Sequence, residues 1–195
     1  YEKVLNALNL LCQDYRDIFS GVLSVIDPTN NPEELIDFFA SFNLPSYDFL
    51  LPDANHITLP PGRLNHPNLY VNWIKKALKH WYHVHPQLPI RLFVNARNGI
   101  SGLPIETEIF GNGSICYLIV ETDGSYHWSD LLKGAYEGAS HTGFNIETTK
   151  LQEVIHSDTI QRYQHLLKNH NLCETCMNCP EMDICGGGQI SHRYN

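Results

Sequence analysis

The chain has 195 residues, of which 43% are hydrophobic and 11% aromatic, so it is long enough to bury a core without disulfide bonds. Its 21 acidic residues outnumber its 13 basic residues and give a formal net charge of −8, which argues against nucleic acid as a partner. No apolar run approaches the roughly 18 residues that span a bilayer, so we expect no membrane partner. The first residue is Tyr1 and no charged-then-apolar leader follows it, so we expect the natural start of the protein to be missing.

The first 97 residues alternate predicted helices with short predicted strands. Helical spacing over 1–15 precedes a buried strand in "IFSGVLSVIDP", and a helix follows in "NNPEELIDFFASF", capped by Asn31 and opened by Pro32. A second strand, "YDFLLPD", leads into a proline-rich loop at 53–67. The amphipathic helix "NLYVNWIKKALKHWYHV" and a third strand, "PIRLFVN", complete this part. The β-α-β-α-β order predicts a parallel sheet covered by helices.

The pattern changes after about Arg97, where we place a domain boundary. The stretch "SICYLIVETDGSYHW" predicts an antiparallel hairpin with its turn at Asp123-Gly124. Helical stretches follow near Trp128–Tyr136 and Ser157–Asn169. The predicted domains are therefore 1–97 and 98–195.

Four of the six cysteines fall in one short run near the end of the chain: Cys173, Cys176, Cys179 and Cys185. Gaps of two residues let thiolates in a tight turn converge on one centre, and both zinc sites and iron–sulfur clusters use them. The spacing supports these two metals equally. A disulfide framework is a weaker reading, because so dense a run in a chain of this size suits the reduced, cytoplasmic compartment. Gly186 to Gly188 lack a Cβ, so we expect them to adopt positive φ and to bring backbone N–H groups close to a cluster.

Polar side chains also follow the second predicted strand, in "LLPDANH". Ligands of parallel sheets gather at the carboxyl ends of strands, so Asp53, Asn55 and His56 are candidates for a cofactor-binding or substrate pocket. The alternative is a polar turn in which Asp53 and Asn55 bond their own backbone. The residues do not decide between the two.

Three histidines, His80, His83 and His85, lie at the end of the long predicted helix. Cationic histidines suit a helix C-terminus, and we favour that explanation over a metal site. Arg91 stands among apolar neighbours in the third predicted strand, where a charge needs a partner. We expect a structural ion pair there rather than a substrate contact.

The block "CETCMNCPEMDICGGGQISHRY" resembles the SPASM-type auxiliary cluster region of radical S-adenosylmethionine enzymes. The stretch "ICYLIVETDGSYHWSDLLKGA" resembles the hairpin and helix that open that region. "GVLSVIDPTNNPEELIDFF" and "YDFLLPDANH" resemble the last strands of the partial radical-SAM barrel. In detail the chain is most similar to maturases that build cyclophane crosslinks in ribosomally made peptides.

The resemblance implies an α/β fold, with the C-terminal portion of a partial (β/α) barrel over 1–97 and a small α+β SPASM-like iron–sulfur domain over 98–195. It implies an auxiliary 4Fe-4S cluster on the cysteines of the terminal run, Cys176, Cys179 and Cys185. Cys173 precedes the family's usual C-x2-C-x5-C spacing, so it is either a fourth ligand or a bystander. Cys116 is a further candidate ligand, although in an apolar strand it is more simply a small buried hydrophobe. The parent enzyme would use S-adenosylmethionine and an electron donor to crosslink a precursor peptide.

The sequence also departs from the family pattern. The CxxxCxxC motif, whose cysteines hold the cluster that cleaves S-adenosylmethionine, is absent, and Gln189 stands near the place where relatives carry a further cysteine. We therefore expect a fragment that does not start a radical reaction by itself, and no residue can be named as the catalytic base. The alternative function is a non-catalytic, zinc-stabilised module that binds a peptide along the loop at 53–67.

Overall fold

The computed structural model describes residues 1–55, 57–111, 117–166 and 172–193. The chain divides into two compact units. The first consists of Tyr1–Pro52 with Pro61–Val94, and the second of Asp53–Pro60 with Asn95–Asn195. The predicted mixture of helices and strands is confirmed. The assignment of 1–97 to a barrel portion and of 98–195 to a cluster domain stays a prediction.

The first unit is built around two short parallel strands. Its elements are α1 (Glu2–Asp14), β1 (Val22–Val25), α2 (Pro32–Ala40), β2 (Tyr47–Leu50), α3 (Leu69–Val84) and the start of α4 (Arg91–Ile100). Strands β1 and β2 pair in parallel, with Val22 opposite Tyr47. The ring of Phe49 on β2 lies at the centre of the core, because it contacts the rings of Tyr47, Trp73 and Phe93 with centroids 4.9 to 5.9 Å apart.

The predicted start of α2, with Asn31 as its cap and Pro32 as its first residue, is confirmed. Pro32 is its first residue, and the side chain of Asn31 accepts a hydrogen bond from the N–H of Glu33 at 3.2 Å. A cap of this kind satisfies a backbone donor that has no partner within the helix. The predicted helices over 1–15 and along "NLYVNWIKKALKHWYHV" are also confirmed, as α1 and α3.

The prediction of a third strand in "PIRLFVN" is wrong. Only Ile90 forms a bridge, to Tyr47, and the residues from Arg91 onward form the helix α4. A residue of β2 explains why this stretch is helical. The carboxylate of Asp48 accepts a hydrogen bond from the N–H of Leu92 at 2.8 Å and so caps the first turn of α4. A short apolar run has the same pattern in a strand and in a buried helix, so periodicity could not reveal this.

Asp48 is a buried carboxylate with three polar neighbours. Its side chain is only 3% exposed, it accepts a second hydrogen bond from the N–H of Phe49 at 3.0 Å, and its Oδ2 lies 3.7 Å from Nε of Arg91. The predicted ion pair at Arg91 is therefore confirmed. Burial nevertheless raises the pKa of Asp48, while the Leu92 N–H, Arg91 and the Phe49 N–H oppose the rise. The N–H groups of Leu92 and Phe49 need the Asp48 side-chain oxygen as a hydrogen-bond acceptor, whereas a full negative charge on Asp48 is destabilising in this buried position.

The second unit contains an antiparallel sheet with the order β3 (Ile119–Val120), β4 (Ser125–His127) and β5 (His141–Asn145). The predicted hairpin turn is confirmed, since Gly124 adopts a φ of 79° and its N–H bonds the carbonyl of Glu121 at 2.9 Å. The described helices that follow are a 3-10 helix at Asp130–Gly134, α5 (Leu151–Ile155), α6 (Asp158–Leu166), α7 (Glu174–Met177), α8 (Met182–Cys185) and a 3-10 helix at Ile190–Arg193.

Two predicted helices of this unit are confirmed over part of their predicted ranges. The stretch near Trp128–Tyr136 contains the first 3-10 helix, and the stretch Ser157–Asn169 contains α6, whose last described residue is Leu166. The core packs the sheet against α5 and α6 through five buried residues, Tyr126, Trp128, Val154, Ile160 and Tyr163. No helix in the described part of the chain is both long enough and apolar enough to cross a bilayer.

Removal of the Asp48 side chain tests its capping role. We expect Asp48→Ala to lower the free energy of unfolding by about 1–3 kcal/mol, because the buried N–H of Leu92 loses its acceptor. Asp48→Asn keeps a side-chain oxygen and removes the buried charge, so we expect it to lower this free energy by less than about 1 kcal/mol. Urea unfolding followed by tryptophan fluorescence measures both. Equal losses in the two variants would contradict the capping role.

Candidate metal centre

The cysteine run folds into successive short turns that bring its thiols back to one region. Cys173 stands at the N-cap of α7, Cys176 lies within α7, and Cys185 is the last residue of α8. The N–H of Cys179 bonds the carbonyl of Cys176 at 3.0 Å, which closes the turn between the two helices. Gaps of two residues therefore place each thiol one turn after the previous one.

The side chains of the run influence each other directly. A hydrogen bond from the backbone of Cys176 lowers the pKa of Cys173, and the thiols of the two residues are hydrogen-bonded. The pKa of Cys176 is raised, first by its hydrogen bond with Cys173 and further by the negative charges that Cys173, Cys185 and Cys179 would carry. One thiol thus lies within electrostatic reach of the other three, as convergence on one cation requires.

Both zinc and an iron–sulfur cluster are compatible with four thiolates. All four cysteines carry free thiols, and three of them are exposed. No three of the four sulfurs, all of which belong to the described residues, lie within 4.8 Å of one another. A tetrahedral zinc with Zn–S bonds of about 2.3 Å needs its sulfurs roughly 3.8 Å apart. A cuboidal cluster inserts iron atoms between its thiolates and holds them further apart, so the four thiols fit a cluster without having to meet around a single ion.

The three glycines after Cys185 all adopt the left-handed backbone that the sequence predicts. Their φ angles are 58°, 83° and 73° for Gly186, Gly187 and Gly188. A Cβ at Gly187 would also lie 2.4 Å from Cδ2 of Leu172, so there is no space for a side chain. The chain can reverse direction beside the thiols only because these positions carry no Cβ.

Arg193 and Gly111 hold this glycine turn. Nη2 of Arg193 donates to the carbonyls of Gly186 at 2.5 Å and Gly188 at 3.0 Å, and its Nε donates to Gly188 at 3.1 Å. The N–H of Gly111 donates to the carbonyl of Cys185 at 2.8 Å. Burial lowers the pKa of Arg193, whereas negative charge on Cys185 and Cys176 acts in the opposite direction, so the guanidinium lies near the sulfurs. Gly111 lies far upstream of Cys185 in the sequence, and no pattern around it predicts this contact.

Asn55, one of the candidate pocket residues, lies in a turn. Oδ1 of Asn55 accepts hydrogen bonds from the N–H groups of Ile57 at 2.8 Å and Thr58 at 2.7 Å, and its Nδ2 donates to the carbonyl of Gly134 at 2.7 Å. The two bonds to Ile57 and Thr58 are the local contacts of the polar-turn alternative, whereas the bond to Gly134 reaches a distant part of the chain. Asp53 is exposed, and its role in a pocket stays a prediction. His56 and Cys116 lie outside the described residues.

The overall structure resembles solved maturation enzymes. No protein-family model matches the chain, and no curated protein matches it with significance. The native enzyme anSMEcpe with bound AdoMet and Cp18Cys peptide matches 100% of this chain and 54% of its own, with a TM-score of 0.73 and 20% identity. The same enzyme with AdoMet and Kp18Cys peptide matches with a TM-score of 0.73 and 19% identity, over 100% of this chain and 53% of its own.

These structures are radical SAM/SPASM anaerobic sulfatase-maturating enzymes, and the chain spans about half of their length. The chain shares their fold. The predicted resemblance to radical SAM maturases of the SPASM type is therefore confirmed at the level of the fold. The cyclophane-forming subtype stays a prediction, because the enzymes that match mature sulfatases.

Substitution of Gly111 tests the contact that holds Cys185 in this maturase-like fold. A Cβ at Gly111 would lie 2.0 Å from the carbonyl oxygen of Gly186 and 1.6 Å from Nη2 of Arg193. We therefore expect Gly111→Ala to lower the free energy of unfolding by about 1–3 kcal/mol. Gly134→Ala is the matched control, since no atom lies within 4 Å of a Cβ there. Chemical denaturation measures both, and a Gly111→Ala variant as stable as the control would contradict the close packing.

Proposed function

We propose that the chain is part of a radical S-adenosylmethionine enzyme that crosslinks a ribosomally synthesised precursor peptide, and that it holds an auxiliary 4Fe-4S cluster. The observation that carries the proposal is the group of four thiols beside a glycine turn, in a fold shared with peptide-bound maturases. The proposed ligands are Cys173, Cys176, Cys179 and Cys185, with Cys116 as a further candidate.

Arg193 and Gly111, which hold the glycine turn, each have a role under this proposal. Such a cluster supplies one-electron chemistry, and charge near its sulfurs tunes its reduction potential. The guanidinium of Arg193 favours the more negative, reduced state because it lies near Cys185 and Cys176. Gly111 and Arg193 together fix the backbone on either side of the last cysteine. Reactive thiols and a cluster need a reducing compartment, so we propose a cytoplasmic location.

The S-adenosylmethionine-cleaving part of the proposed enzyme needs a CxxxCxxC motif, which this sequence does not contain. The sheet of the first unit is consistent with a larger barrel. Leu23 and Val25 of β1 are 62% and 59% exposed, although apolar strand residues are normally covered. Further strands and helices beside β1 would bury them. We propose that this larger enzyme takes electrons from an external donor and binds the precursor peptide, with Asp53, Asn55 and His56 as candidate pocket residues.

The alternative, a zinc-stabilised peptide-binding module, uses the same four thiolates. It would need sulfurs roughly 3.8 Å apart around a single ion. The fold shared with AdoMet- and peptide-bound maturases supports the cluster instead.

Metal analysis of the anaerobically purified and reconstituted chain tests the cluster. We expect iron and sulfide in near-equal amounts with a visible absorption band. Cys176→Ala and Cys179→Ala should lose most of both, because each removes a thiolate ligand. Cys12→Ala is the matched control, since Cys12 lies in α1 of the first unit and should leave the iron content unchanged. One colourless zinc per chain, without sulfide and lost in Cys176→Ala and Cys179→Ala, would instead support the alternative module.

Reductive cleavage of S-adenosylmethionine tests whether the chain can start a radical reaction. We expect 5′-deoxyadenosine to form no faster with the reconstituted chain than with a variant in which the four cysteines of the run are alanine. The reason is the absence of the motif that holds the cleaving cluster. Chromatography of the products measures the rate, and a clear excess over this variant would contradict the proposed division of labour.

A further inference from the structure

A second group of side chains, of the types that bind metal ions, lies in the first unit. Asp37 projects from α2, His80 from α3, and His85 is the C-cap residue of α3. Nε2 of His80 lies 2.6 Å from Oδ1 of Asp37, and Nε2 of His85 lies 2.8 Å from the same oxygen. The three ligand atoms all lie within 4.8 Å of one another, the only such group of three among the described residues.

The two helices hold these side chains in place without any ion. One turn earlier on each helix, Lys76 pairs with Glu33 at 3.1 Å. The backbone N–H of His85 bonds the carbonyl of Trp81 at 3.0 Å, which fixes the residue at the end of α3. The side chains of His80 and His85 are only 17% and 21% exposed. The donor atoms are therefore pre-organised, which reduces the conformational entropy lost on binding.

We propose that Asp37, His80 and His85 bind one divalent transition-metal ion. Imidazole nitrogen and carboxylate oxygen are suitable ligands for zinc and neighbouring first-row ions. Three protein ligands leave one tetrahedral position for water, as in open zinc sites. The side chain of Asp37 is 53% exposed, so an ion and its water can enter from solvent.

The geometry needs only a small adjustment. Ligand bonds of about 2.0–2.2 Å in a tetrahedral site separate nitrogen and oxygen by roughly 3.4 Å. The present separations of 2.6 and 2.8 Å are shorter, so the atoms must move apart by several tenths of an ångström. Rotation of the half-exposed Asp37 carboxylate provides this movement. Lys76, one turn before His80 on α3, is already paired with Glu33 and therefore does not present an unpaired positive charge to the ion.

A carboxylate only accepts hydrogen bonds, so both imidazoles donate from Nε2 in the ion-free chain. Coordination through Nε2 requires the proton to move to Nδ1. This change of tautomer is a residue-specific signature that binding elsewhere would not produce. Because the cysteine run can also bind zinc, the test needs a signature that reports on His80 and His85 alone. The change of tautomer also separates a failure of this proposal from a failure of the proposed cluster.

Zinc titration of the full chain, followed by long-range proton–nitrogen NMR of the histidine rings, tests the site. We expect the Nε2 signals of His80 and His85 to lose their protons together, with both signals saturating at zinc concentrations on the order of micromolar. His80→Gln and His85→Gln assign the signals and should each weaken this transition at least tenfold. Asp37→Asn should do the same, and because the side chain is half exposed this variant is the least disruptive of the three.

His83→Gln is the matched control, because His83 lies on the same helix but is exposed and contacts the ring of Tyr82. We expect it to leave the transition of His80 and His85 unchanged. The proposal would be overturned if both rings kept the Nε2–H tautomer at millimolar zinc. It would also be overturned if His83→Gln weakened binding as strongly as His80→Gln.

Discussion

The turn that follows Cys185 depends on the guanidinium of Arg193, which donates hydrogen bonds to the carbonyls on both sides of Gly187. Three successive residues with positive φ belong to neither a helix nor a strand, so their buried carbonyls need other partners. Arginine can satisfy two carbonyls at once because its planar group carries several donors. The position of the last cysteine is thus determined by a residue beyond the cysteine run and by the absence of a side chain at Gly111.

Features controlled by neighbouring residues could be predicted from the sequence. The start of α2 follows from Asn31 and Pro32, which act within one turn, and the hairpin turn follows from Asp123-Gly124. The positive φ angles of the terminal glycines follow from their lack of a Cβ. In each case the physical cause lies within a few residues of its effect, so the local pattern contains it.

Features controlled by distant residues could not be predicted in this way. The helix α4 replaces a predicted strand because Asp48 caps it from 44 residues away. Strand β5, "HTGFN", was not predicted because it lacks the alternating apolar pattern and exists through its pairing with β4. The histidines at the end of α3 suggested a helix-dipole effect, whereas His80 and His85 meet Asp37 of another helix. Gly111 is important through a backbone contact that no residue near it indicates.

The two groups of potential ligands differ in what holds them together without a cation. In the cysteine run the hydrogen bond with Cys173 raises the pKa of Cys176, and the negative charges of the neighbouring thiolates raise it further, so ionised thiols repel one another. At Asp37 the carboxylate and the two imidazoles attract one another through hydrogen bonds. A bound cation would therefore affect the two groups of side chains in opposite ways. It would remove a repulsion between the cysteines and so favour their convergence, whereas between α2 and α3 it would replace hydrogen bonds that already exist. A bound metal would thus order the cysteine run more than it would order the histidine pair.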